Sequence, residues 1–115
     1  MIQGNLLLVP FPFSDQSGNK VRPVMVVSNN EFNEHSDDLI VVGVTSNLSK
    51  GKYTLNLSTT DLEEGKLYSK CCIKAENILK IEKSLILKKI GVVKKTKLES
   101  TINTIQNIIS TNNFA

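Results

Sequence analysis

A chain of 115 residues forms one domain, expected to span 1–115, and can bury a core without a metal or a disulfide staple. A composition that is 40% hydrophobic and rich in Ile, Leu and Val excludes a disordered tail, and no apolar run approaches the roughly 20 residues needed to span a bilayer. The net charge of +3 hides an asymmetry: residues 1–65 sum to −4 and residues 66–115 to +7. A basic half of that kind attracts nucleic acid or an acidic peptide, or is a solvated lysine surface.

The start, Met1-Ile2-Gln3-Gly4-Asn5, has neither a basic n-region nor a cleavable apolar stretch, so a cytoplasmic protein with no membrane partner is expected. Leu6-Leu7-Leu8-Val9 reads as a buried strand ended by Pro10-Phe11-Pro12-Phe13. Residues 14–20 form a polar, turn-rich loop. Pro23 to Ser28 is a second strand, with the proline at its start, where a missing N–H does least harm. Asn29 to Asp38 is a loop or a loop with a helical turn, and Leu39 to Thr45 a third strand.

After a turn from Ser46 to Gly51, Lys52 to Ser58 alternates, with Tyr53, Leu55 and Leu57 on one face. Thr59 to Gly65 reads as a polar connection, and Leu67 to Ile81 holds at least one more strand. Leu85 to Gly91 is a short helix or a strand, which periodicity alone does not decide. The neighbours Cys71 and Cys72 fit neither a disulfide staple nor a zinc spacing; on a strand, one points to the core and one outward. Thr96 and Glu99 fit a capping box, and Leu98, Ile102, Ile105 and Ile109 form one apolar stripe on a helix of about four turns. Residues 111–115 are expected to fray. Five or more short strands and one closing helix describe a small, mainly β barrel with attached helices.

The chemistry-bearing residues are few. The single histidine, His35, lies in an acidic loop, so one chain holds no pair of histidines for acid–base work. There is no clustered set of metal ligands and no phosphate-cradling glycine pattern; no metal or cofactor is expected. Arg22 is the best candidate for phosphate, because its planar fork can grip two phosphate oxygens. Thr45 ends a strand, where its hydroxyl can donate to a phosphoryl oxygen or cap its own turn.

Three segments in this order resemble the MazF/PemK toxin family of type II toxin–antitoxin systems. They are Gly4 to Phe13 (GNLLLVPFPF), Gly18 to Ser28 (GNKVRPVMVVS) and Val44-Thr45-Ser46. The run Ile81 to Gly91 and the final helix are similar to the family too, so the resemblance covers nearly the whole chain. It implies an SH3-like (CcdB/PemK-type) barrel closed by a C-terminal helix, a homodimer, and a cognate antitoxin protein. It also implies sequence-selective cleavage of single-stranded RNA, messenger RNA included, that leaves a 2′,3′-cyclic phosphate and a 5′-hydroxyl. The family's catalytic arginine matches Arg22 and its second functional residue matches Thr45.

The remaining site expectations follow from that match. The loop carrying Phe13, Gly18 and Lys20 borders the RNA groove: Phe13 stacks on a base or packs at a strand end, Gly18 lets the loop turn, and Lys20 attracts phosphate. Ser46 adds a hydrogen bond, and Lys74 and Asn77 match a base-reading region. This chain departs from better-known members in offering Asp15 but no glutamate in the loop before Arg22, and Leu79 where many carry an arginine. Two other readings stand beside the nuclease. One is a non-catalytic, CcdB-like toxin that binds gyrase. The other is an SH3-like interaction module, which six aromatics and no tryptophan make a poor peptide groove.

Overall fold

The computed structural model describes residues 1–11, 20–48 and 51–112. In chain order its elements are β1 (Asn5–Phe11), β2 (Lys20–Val26), the short helix α1 (Asn30–Glu34), β3 (Asp38–Thr45), β4 (Thr54–Leu57), β5 (Leu62–Gly65), β6 (Cys71–Glu82), β7 (Lys88–Val93) and the closing helix α2 (Lys95–Ile109). The strands lie in the order β4-β6-β3-β2-β1-β7-β5, with every neighbouring pair antiparallel, and the sheet curls into a half-barrel. The mainly β architecture with a closing helix is the one expected from sequence.

The central strands are apolar on both faces, which explains their unbroken hydrophobic runs. Leu6, Met25, Val42 and Ile73 point to one side, where Leu98 and Ile105 of α2 pack against them. Leu7, Val24, Val26, Val41 and Leu39 point to the other. That second face is closed by the chain after β6. Lys83 N–H bonds the Asp37 carbonyl at 2.8 Å and Leu87 N–H bonds the Leu8 carbonyl at 2.9 Å, so the segment crosses from β3 to β1 and lays Ile86 over the apolar layer.

Several details differ from the sequence expectation. β1 runs through Pro10 to Phe11 instead of ending at the proline. The Leu8 carbonyl points to the β7 side, so by strand alternation Pro10 turns its nitrogen the same way, and β7 pairing has already stopped at Leu8. No ladder donor is therefore lost. β2 starts at Lys20, which places Pro23 inside the strand. The connection 59–65 contains strand β5, and the ambiguous run Leu85 to Gly91 becomes strand β7 from Lys88 onward, after a single 3-10 turn that ends at Leu85. Cys71 and Cys72 are both buried, because both sheet faces are covered.

The helix also begins earlier than its apparent capping box. α2 starts at Lys95 with Lys94 as its cap and no side-chain cap bond. A tertiary tether replaces it: Lys94 N–H donates to the Asp61 carbonyl at 2.8 Å, and Lys97 Nζ lies 3.8 Å from the Asp61 carboxylate. Its buried centre is Thr101 (0% exposed), whose hydroxyl donates to the Lys97 carbonyl, whereas Ile109 at the end of the expected stripe is 70% exposed.

Gly65 sits at φ +94°, and a Cβ there would stand 2.3 Å from the Ile90 carbonyl oxygen. Relief requires moving the β7 backbone, so Gly65→Ala is expected to lower unfolding free energy by about 2 kcal/mol or more. The urea midpoint reads this, and a variant as stable as wild type would contradict the close β5–β7 crossing. Burial, reinforced by the adjacent Cys72, pushes the Cys71 thiol above its ordinary 9.0. The folded chain holds that proton more tightly than the unfolded chain. Its contribution is complete below the ordinary thiol range and is lost as pH rises through the raised value. Stability should therefore fall as pH rises from the ordinary thiol value of 9.0 through the raised one, with a slope that Cys71→Ala reduces.

Candidate functional site

The site begins where two strands stop pairing. Val27 N–H donates to the Ile40 carbonyl at 2.9 Å, so odd-numbered residues of β2 turn their backbone groups toward β3. Pro23 is the next such position toward the start of the strand after Met25, and it has no N–H to give. The β2–β3 ladder ends at Val24↔Gly43. Carried two residues further, that register aligns Arg22 with Thr45. Beyond the last rung the strands border a cleft of about 240 Å³, and Arg22 and Thr45 both line it.

The floor is shaped by β6. Its pairing with β3 steps from Val42↔Ile78 to Gly43↔Lys74, leaving residues 75–77 without partners on β3. The extra residues bend β6 and swing Asn77 over Gly43, where a Cβ would come within 2.7 Å of the Asn77 amide nitrogen. Lys74, opposite Gly43, also lines the cleft; its side chain is 29% exposed and lies 3.7 Å from the Glu76 carboxylate. Arg22 and Lys74 are the charged side chains among the described lining residues, so the cleft is positive.

Thr45 is half-buried, and its hydroxyl oxygen accepts the Asn47 N–H at 3.0 Å. The turn-capping bond considered from sequence is therefore made. It uses the oxygen as acceptor and leaves the hydroxyl hydrogen to be donated elsewhere, so capping and phosphate binding are compatible. Lys20 and Ser46 meet Arg22 and Thr45 in an adjoining groove of about 320 Å³, which Cys71 also lines.

Arg22, Thr45, Lys74 and Asn77 thus come together, from β2, the end of β3, and β6. Lys20 and Ser46 lie next to them. Phe13 and Gly18 fall outside the described residues. His35 is exposed, with its Nδ1 2.8 Å from the Glu31 carbonyl, and it does not line the cleft. Among the described residues no group of three His, Cys, Asp or Glu side chains could hold a metal. Sequence reasoning missed Gly43 and Asn47. A lone glycine inside the apolar run Leu39 to Thr45 was a legible sign of close approach; nothing local marked Asn47.

Comparison with known proteins finds relatives that cover nearly the whole chain. "Endoribonuclease MazF" of Staphylococcus epidermidis is 27% identical over 107 residues, which is 93% of this chain and 87% of that protein. Among solved structures, an endoribonuclease from a mycobacterial species in complex with its cognate antitoxin superposes with a TM-score of 0.78 at 17% identity, covering 98% of each chain. A MazE–MazF structure from Deinococcus radiodurans gives a TM-score of 0.79 at 16% identity, covering 97% of this chain and 98% of that one. Those two likenesses establish the fold. The sequence profile of the PemK-like, MazF-like toxins of type II toxin–antitoxin systems matches residues 2–109, and the chain belongs to that family.

Proposed function

We propose that this chain is the toxin of a type II toxin–antitoxin pair and that it cuts single-stranded RNA, messenger RNA included, in the cytoplasm. The observation that carries the reading is the cleft opened at Pro23, where a guanidinium and a strand-end hydroxyl lie on either side of a positive, amide-lined floor.

RNA supplies its own nucleophile. The 2′-oxygen bonds to the neighbouring phosphorus and loses its proton; the P–O5′ bond breaks and the 5′-oxygen gains one. The products are a 2′,3′-cyclic phosphate and a 5′-hydroxyl. No metal is required for that displacement, provided charge on the phosphorane is stabilised and the 2′-oxygen is held in line. In this reading Arg22 donates to the non-bridging oxygens through its fork, and Thr45 adds a hydroxyl donor. Lys74 draws the flanking phosphate, and the Asn77 amide offers a donor and an acceptor to a base edge. Lys20 and Ser46 extend the same surface through the adjoining groove.

The remaining partners are part of the same proposal. A second copy of the chain completes a homodimer, and the antitoxin is an acidic segment that orders as it covers the positive cleft. No helix among the described residues is long and apolar enough to cross a membrane.

A long RNA incubated in EDTA should be cut at discrete sites with cyclic-phosphate ends, and Arg22→Ala should slow cutting by about 10²- to 10³-fold. No cutting by wild type at any stoichiometry would favour the gyrase-binding or peptide-binding readings. Gly43→Ala forces the Asn77 amide aside. It should leave the fold intact while changing which sites are cut or raising KM several-fold; an unchanged cut pattern and KM would remove Asn77 from base recognition.

A further inference from the structure

The strongest positive charge of the chain lies after residue 65, and the cleft uses little of it. Much of the rest gathers around one aromatic ring. Tyr68 is 97% exposed, the most exposed of the large apolar and aromatic side chains among the described residues. It lines a groove of about 460 Å³ with Lys66, Lys88 and Lys89, and Lys70 follows two residues later. Lys89 is paired to Glu64 at 3.1 Å; among the described residues no ion pair is formed by Lys66, Lys70 or Lys88.

The ring is exposed, yet its backbone is fastened. The Leu67 N–H donates to the Thr59 hydroxyl oxygen at 3.0 Å, and that hydroxyl donates back to the Leu67 carbonyl at 3.1 Å. The Leu67 side chain packs on the core, and Cys71 on the far side is buried. A ring that buries almost nothing contributes little to stability, but a ring held on a clamped segment loses little freedom when it stacks.

The segment also leads to the site. Cys71 lines the groove shared by Arg22, Thr45, Ser46 and Lys20. Three residues of chain span at most about 11 Å, so the Tyr68 backbone stands within that reach of Cys71 at the groove's edge. Single-strand-binding folds of similar size contact about 4–16 nucleotides, combining exposed aromatics with a basic track.

We propose that Tyr68, with Lys66, Lys70 and Lys88, forms a second contact for single-stranded RNA: the ring stacks on a base outside the cleft and the lysines hold the adjoining phosphates. This inference rests on the RNA-cleaving reading above. Stacking accepts any base, so the track adds affinity for longer strands without adding sequence selectivity. Tyr68 is a binding and positioning residue; it touches no reacting atom.

The test compares wild type, Tyr68→Ala and Tyr68→Phe on two RNAs: a long strand with a mapped cut site, and the same site trimmed on both sides to its nearest nucleotides. Tyr68→Ala should raise KM for the long strand on the order of tenfold, leave kcat unchanged, and behave as wild type on the trimmed strand. Tyr68→Phe should match wild type on both. An unchanged KM on the long strand, or an equal loss on both strands, overturns the proposal while leaving the nuclease intact. If wild type cuts neither RNA, the nuclease reading fails. Binding of a fluorescent long RNA then decides the track: weaker binding by Tyr68→Ala supports it, and equal binding overturns it. A variant that loses affinity for an acidic antitoxin peptide but not for RNA marks the patch as a protein-docking surface, which also overturns the proposal.

Discussion

Proline carries no amide hydrogen, and at position 23 that lack falls on the side of β2 that faces β3. An ordinary residue there would have one more N–H to offer β3. With proline the pairing ends at Val24↔Gly43, and two chemically useful side chains are left bordering an opening. The rest of the site depends on that interruption. The Arg-Pro pair therefore reads as one device, in which the proline makes the gap and the arginine fills its rim.

β6 completes the opening from below. Three residues without partners on β3 bend it beneath the gap, and Gly43 provides the empty space into which Asn77 turns. The packing beyond is conventional. Apolar layers on both faces hold the central strands rigid, one under α2 and one under the chain that crosses after β6. A cleft set on strand ends, with a stiff sheet behind it, keeps donors aimed without reorganisation when charge develops.

The strands with dense apolar runs were legible in the sequence because burial on two faces demands such runs. β5 was not: Leu62-Glu63-Glu64-Gly65 has a single apolar residue, and it is a strand because β7 lies beside it. The start of α2 was misplaced because Asp61, far away in sequence, does the work of a local cap. For the site, Arg22 stood out as a phosphate candidate by residue type, whereas Thr45 read locally as a turn cap and its pairing with Arg22 came from the family resemblance. Lys74 and Asn77 came from family resemblance alone, since nothing local reveals a bend in β6. One of Cys71 and Cys72 was expected to point outward, but alternation predicts exposure only when one face is wet.

Two-faced burial has a consequence for how the chain finds its fold. Strand register is ordinarily enforced because a slip by one residue throws apolar side chains into water. In β1 a slip merely exchanges Leu6 and Leu8 for Leu7 and Val9. Hydrophobicity therefore gives almost no penalty against misalignment. The penalty comes from Pro10: shifted by one place, it would turn its missing hydrogen toward β2 and delete a rung there. Pro10 acts as a keying mark that lets this nearly uniform apolar strand align in one way.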